Sequence, residues 1–180
     1  EQADQETPLT AADHWIAHKL DTTAKQVTKL IESYQFSLAG ETLRDFTWND
    51  FADWYIEAHK IQRKSRLLEP AFGILLKLWH PFMPFVTEAI WQHFGANSLL
   101  LGQPWPEDTR STLPGISDIS ASERISESFE AFVRNPIESI RAVRAAHHVP
   151  PSKKLNFIVR STPELPFASP EDFLNENKEL

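Results

Sequence analysis

Apolar residues in the first third of the chain recur three and four positions apart. Thr10 opens the first such run, with Asp13 three residues on and Leu9 just before it, the arrangement of a capping box with a staple residue. Ile16, Leu20, Val27, Leu30, Ile31 and Tyr34 continue the pattern, while Lys19, Lys25, Gln26 and Lys29 fall on the other face. A long amphipathic helix is therefore predicted from about Ala11 to Tyr34. After a short turn at Gln35 to Ser37, a second helix is predicted to run to about Arg66 on a stripe of Leu43, Phe46, Phe51, Trp54, Tyr55, Ala58 and Ile61. Gly40 inside it costs roughly 1 kcal/mol against Ala, which a close helix crossing would explain.

Proline then sets the punctuation. Pro70 is tolerated in the first turn of a third helix, and Ala71 to Trp79 is apolar almost all round. His80-Pro81-Phe82-Met83-Pro84 must break it, because each Pro removes a backbone donor and restricts the residue before it. Pro84 can open a fourth helix through Phe85, Ile90, Trp91 and Phe94, with Gly95 as its cap. Residues 96–121, with Pro104, Pro106, Pro114, Gly102 and Gly115, read as a long loop. Ser122 starts a fifth helix through Ile125, Phe129, Phe132 and Val133; Pro136 kinks or restarts it, and Ile137, Ile140 and Val143 carry it to about His147. Leu155 to Val159 is the one good strand candidate, and a further helix is expected from Pro170 to Leu180. The predicted fold is mainly α: an antiparallel helical bundle over residues 1–149, followed over 150–180 by the start of a small mixed α/β appendage.

Composition narrows the chemistry. A length of 180 residues suits one domain, or one plus an appendage. With no Cys, disulfides, thiolate metal sites and a Cys nucleophile are excluded, and an intracellular, cytoplasmic setting is expected. No apolar run approaches the ~18 residues of a membrane span, and the acidic first residues do not resemble a signal peptide, so no membrane partner is expected. Phosphate-cradling Gly loops are absent. The net charge of -7 hides a segregation: Lys60, Arg63, Lys64 and Arg66 stand without an acid among them, and between Arg134 and Arg160 six bases face only Glu138. Overall acidity thus does not exclude a nucleic-acid partner.

Few residues form a chemical constellation. His14 and His18 share a helix face at i, i+4, but no third ligand accompanies them and no metal is expected. Asp50, Asp53 and Glu57 form either a paired-carboxylate site or the acidic edge of an amphipathic helix. His80 reads as a break residue, His147-His148 as a helix end where a cation is favoured. No motif surrounds a nucleophilic Ser, so no catalytic residue is assigned. Of the six Trp, Trp48 alone falls off the stripes, beside Asn49. An exposed aromatic next to an amide and basic residues can stack an unpaired base and hydrogen-bond its edge; a second packing interface is the alternative.

FTWNDFADWYIE (Phe46 to Glu57) resembles the start of the anticodon-binding helical bundle of the valyl-tRNA synthetase family, within the class I aminoacyl-tRNA synthetases. ADHWI (Ala12 to Ile16), LWHPFMPFVTEAIWQHF (Leu78 to Phe94), PWPE (Pro104 to Glu107) and RAVRAAHHVPPSKKLNFIVR (Arg141 to Arg160) agree with the family in order and spacing. The helix-break-helix is shared with isoleucyl- and leucyl-tRNA synthetases, the nearest alternatives, whereas Thr-Trp-Asn and Val-Pro-Pro-Ser-Lys-Lys point to the valyl branch. Ile61 to Leu68 is shorter than the corresponding family segment.

The resemblance implies a fragment, truncated in its last helix, that positions the anticodon arm of a tRNA, with a valine-specific tRNA expected and no DNA partner. The catalytic signatures His-Ile-Gly-His and Lys-Met-Ser-Lys-Ser do not occur, so ATP would bind a catalytic domain carried in cis by the parent enzyme, and this piece would need no cofactor. On this reading Lys19, Arg44, Lys60, Arg63 and Lys64 meet phosphates, while Phe46, Trp48 and Asn49 approach bases. Arg141, Arg144, Lys153 and Lys154 form a second candidate surface. A helical protein-interaction scaffold and a metal-dependent hydrolase on the Asp50, Asp53 and Glu57 face are the rivals from other classes.

Overall fold

The computed structural model describes residues 8–62, 66–95, 97–109, 112–116, 119–150 and 152–154. Its regular elements are helical, with no strand among the described residues. The expected strand at Leu155 to Val159 and helix at Pro170 to Leu180, and with them the α/β appendage, lie outside the described residues. The chain divides into two compact units, Glu1–Ser126 and Glu127–Leu180.

In the first unit, α1 (Ala11–Glu32) begins as its capping box requires. The Asp13 amide donates to Thr10 Oγ1 at 3.2 Å, and the Thr10 amide donates back to Asp13 Oδ2 at 2.9 Å. Trp15, Ile16, Leu20 and Val27 are fully buried, as their spacing predicts. The helix ends in a Schellman motif: the Gln35 amide reaches Leu30 O at 2.8 Å and the Tyr34 amide reaches Ile31 O at 2.9 Å. That motif puts Tyr34 at φ 59°, a left-handed position usually given to Gly. Its ring is consequently swung out of the stripe on which the spacing placed it, and is 82% exposed.

The second helix is wider in its middle than its ends. It comprises α2 (Phe36–Asp45), a π-helical stretch (Phe46–Ile56) and α3 (Glu57–Gln62). The apolar spacing explains the change of turn. Phe46 and Phe51 are five residues apart, and on an α-helix at ~100° per residue they would point about 140° away from each other. The i→i+5 turn brings both inward, at 3% and 2% exposure. Tyr55 follows them into the core and donates from its hydroxyl to Asp13 Oδ1 at 2.8 Å, which sets the second helix antiparallel to α1. Ile61, counted on the same stripe, is instead exposed.

The third helix, α4 (Leu68–Trp79), runs antiparallel to the second. Phe72 stacks on Phe51 with ring centres 6.2 Å apart, and Trp79 Nε1 donates to Thr47 Oγ1 at 2.9 Å. The Pro-rich break leads into α5 (Pro84–His93), and its corner is locked by His80 Nδ1 against Thr87 Oγ1 at 2.8 Å. Gly95, at φ 76°, caps α5 as predicted. Gly40 faces Phe82, but a Cβ built there would lie 3.7 Å from the ring, ordinary contact rather than a clash.

The long loop is tied down along its length. Leu100 N donates to Glu88 Oε2 at 2.9 Å, Trp105 Nε1 to Thr28 Oγ1 at 2.8 Å, and Thr109 Oγ1 to Asp21 Oδ1 at 2.9 Å. The next helix, α6 (Ile119–Phe129), starts three residues before the predicted Ser122. Ser122 Oγ instead lies 3.0 Å from His14 Nδ1. Burial pushes the His14 imidazole below its usual 6.5, opposed by the neighbouring Asp13 charge.

In the second unit a π turn (Glu130–Arg134) leads into α7 (Asn135–Ala146), with Pro136 in its first turn. The Asn135 amide bonds to Glu130 O, five residues back, so the widened turn precedes the residue that cannot donate. Pro136 is thereby absorbed without ending the helix. Phe129 and Val133 are buried, whereas Val143, expected on the apolar stripe, is 58% exposed.

Three outcomes follow for stability. Asp13→Ala should cost about 2–4 kcal/mol in urea unfolding, since it removes a cap and the buried bond that Asp13 accepts from the Tyr55 hydroxyl. A double-mutant cycle with Tyr55→Phe that returned no coupling would show the pair to be idle. Gly40→Ala should raise stability by about 1 kcal/mol; a loss would mean that Phe82 has no room to accommodate the methyl. The depressed His14 value means that the unfolded chain takes up a proton first, so this stabilising contribution is present above pH 6.5 and declines below it. His14→Gln should flatten the fall in urea midpoint between pH 7.5 and 5.5, and unchanged steepness would discount His14 as its source.

Candidate nucleic-acid interface

Arg44, Asp45, Trp48 and Asn49 line one shallow hollow where α2 passes into the π stretch. The backbone beneath it is anchored on the inner side: Thr47 Oγ1 donates to Leu43 O at 2.6 Å and accepts from Trp79. With Phe46, Phe51 and Tyr55 turned inward, Trp48 is turned out and 68% exposed. Asn49 beside it is also exposed. Arg44 donates from Nε and Nη2 to Asp45 Oδ1 at 3.2 and 3.0 Å. Both partners are largely in solvent, so this pair contributes at most about 1 kcal/mol and exchanges readily for another anion.

The other sequence candidates separate. Phe46 is corrected: it is a core residue, its ring packed 6.4 Å from that of Phe51, and it has no surface to offer a base. Lys60 is exposed on α3 and pairs with Glu57 at 2.6 Å, so Glu57 has a base three residues on and is no spare carboxylate. Lys19 is half-buried on α1. Arg63 and Lys64 lie outside the described residues. In the second unit Arg141, Lys153 and Lys154 are exposed. Arg144 is half-buried, its Nη2 donating to Pro150 O at 2.5 Å and Lys153 O at 3.1 Å. Arg134 pairs with Glu138 at 2.9 Å.

Among the described residues no three His, Asp or Glu side chains are grouped as a metal site would require. Two further exposed aromatics stand at the α1–α2 corner, where Tyr34, expected on the buried stripe, and Phe36 meet edge to face at 6.2 Å. Their signal was positional: Tyr34 borders the predicted turn at Gln35 to Ser37, and Phe36 lies within it, where the structure starts α2. No helix among the described residues is long and apolar enough to cross a membrane.

The fold and this hollow define a helical module that offers an aromatic face, an amide and an exchangeable guanidinium at one place on its surface. The family model described as the anticodon-binding domain of tRNA ligase matches residues 13–159, and the chain belongs to that family. It is 35% identical over 173 residues to a valine--tRNA ligase from Geobacillus kaustophilus, covering 89% of this chain and 18% of the relative. A valine--tRNA ligase from Geobacillus stearothermophilus is 35% identical over 177 residues, covering 91% and 19%, and one from Thermotoga maritima 32% over 161 residues, covering 84% and 18%. The chain therefore spans about a fifth of the length of these curated relatives.

Proposed function

We propose that this chain is the anticodon-arm-binding module of a valine--tRNA ligase, working in the cytoplasm. The observation that carries the reading is Trp48, an exposed indole held outward by a π-helical stretch between Arg44 and Asn49. The indole stacks on an unpaired base of the anticodon loop and Asn49 meets that base's edge. Arg44 and Lys60 release their carboxylates to bind phosphates, joined by Lys19, Arg63 and Lys64; these contacts position the RNA, and the base contacts select it. Joining valine to tRNA, with ATP, belongs on this reading to a catalytic domain elsewhere on the parent polypeptide, and the module contributes by holding the far end of the substrate.

Trp48→Ala should weaken binding of an anticodon stem-loop roughly five- to 150-fold, since a stacked base is worth ~1–3 kcal/mol. Its melting temperature should stay near that of the parent chain, as the ring is mostly in solvent. A titration with stem-loops bearing valine, isoleucine and leucine anticodons measures both affinity and choice. Equal affinity for all three would remove the valine assignment, and an unchanged Trp48→Ala titration would remove the indole from the site.

A further inference from the structure

The two basic surfaces differ in how their charge is used. Arg44 and Lys60 in the first unit each sit within 3.0 Å of a carboxylate oxygen, so an incoming phosphate must displace an acid already in place. The stretch from Ser139 to Lys154 contains no Asp or Glu and carries Arg141, Arg144, Lys153 and Lys154, together with His147 and His148.

The end of α7 is folded back on itself. The His148 amide bonds to Ala145 O at 3.1 Å and the Val149 amide to Arg144 O at 2.9 Å, a Schellman motif that holds His148 at φ 51°. Gly takes that conformation without strain, yet here a His does so with its ring exposed, so burial does not compensate it. Arg144 draws the following loop against the helix end through its bonds to Pro150 O and Lys153 O, and the Lys153 amide closes a turn onto Pro150 O at 3.1 Å. Lys153 and Lys154 are left exposed, and among the described residues neither forms an ion pair. The carbonyl end of a helix would ordinarily repel an anion. Here the carbonyls of Val143, Arg144 and Ala145 are each occupied by a backbone amide of the turn.

We propose that this corner is a phosphodiester-binding site for the RNA, with Lys153 and Lys154 as the contacts, His147 and His148 as flanking donors, and Arg144 as a positioning residue that shapes the loop and does not touch the ligand. The assignment rests on the RNA-binding reading above and adds to it a second point of contact. It places the salt-sensitive part of binding here, where neutralising a phosphate breaks no existing pair.

The test is a titration of the 180-residue chain with an anticodon stem-loop over a range of salt, with the melting temperature of each variant measured alongside. Lys153→Ala combined with Lys154→Ala should reduce the slope of log affinity against log salt by roughly 1.5, since each phosphate contact contributes about 0.7–0.9. Arg144→Lys keeps the charge but not the reach and fixed planar geometry with which Nη2 donates to both carbonyls, so it should lose affinity as fully as Arg144→Gln. Retained affinity in Arg144→Lys alone would make Arg144 itself a phosphate contact and overturn its positioning role. An unchanged slope in the double Lys variant, with Trp48→Ala still weakening binding, would sink the corner while leaving the RNA reading intact. Failure of the parent chain to bind the stem-loop at any salt would bring down both. Binding of poly-glutamate through the same lysines as tightly as RNA would assign the corner to acidic proteins and overturn the proposal.

Discussion

Two buried carboxylates on α1 hold the first unit in register. Asp13 and Asp21 are 1% and 3% exposed, and a carboxylate removed from water to that degree must have its lone pairs satisfied. Asp13 takes Thr10 and the Tyr55 hydroxyl, which ties the start of α1 to the second helix; Asp21 takes Thr109 and Lys25, which ties the middle of α1 to the long loop. The helix is therefore more than an apolar stripe. Apolar packing alone would let neighbouring helices slide by a turn at modest loss, but each slide would strand one of these charges. The outward-facing residues inherit this precision, because Trp48 can be in a definite place only if Tyr55, Thr47 and their partners are.

Much of this was legible in the residues. Thr10 and Asp13 announce the cap, Pro81 and Pro84 the corner, Gly95 the end of α5, and Trp48 departs visibly from its stripe. The residues that depart from their spacing do so for physical reasons. Phe46 stands both on the apolar stripe and close to Trp48 and Asn49 in sequence, and its five-residue separation from Phe51 is the mark of a wider turn, which settles it inside and leaves Trp48 out. Tyr34 has the right spacing to be buried, but it occupies the residue after the helix cap, where the backbone changes hand. Arg144 counts as a cation in any tally of charge, yet in the fold its guanidinium is engaged with the loop carbonyls. Charge pairing is poorly legible in general, because a long side chain has several carboxylates within reach and sequence does not say which it meets.

The same distinction clarifies the acidity of the chain. A total of -7 suggests repulsion of RNA, but exposed pairs such as Arg44 with Asp45 behave as local dipoles whose cation can be redirected. What an approaching polyanion meets first is the arrangement of charges at each place on the surface. That arrangement is mixed along the second helix and of one sign at the end of α7.

The π-helical stretch has a further consequence for how this fold can change. An α-helix that gains or loses a residue rotates everything beyond the change by about 100°, which would carry a buried face into solvent. In the second helix both flanks of the wide stretch are fastened, Thr47 to Trp79 near its start and Tyr55 to Asp13 near its end. A change in the number of residues between those fastenings can be taken up as a change in turn width, with the faces on either side keeping their neighbours. The stretch serves as an expansion joint, and it is the part of the core on which the exposed indole is mounted.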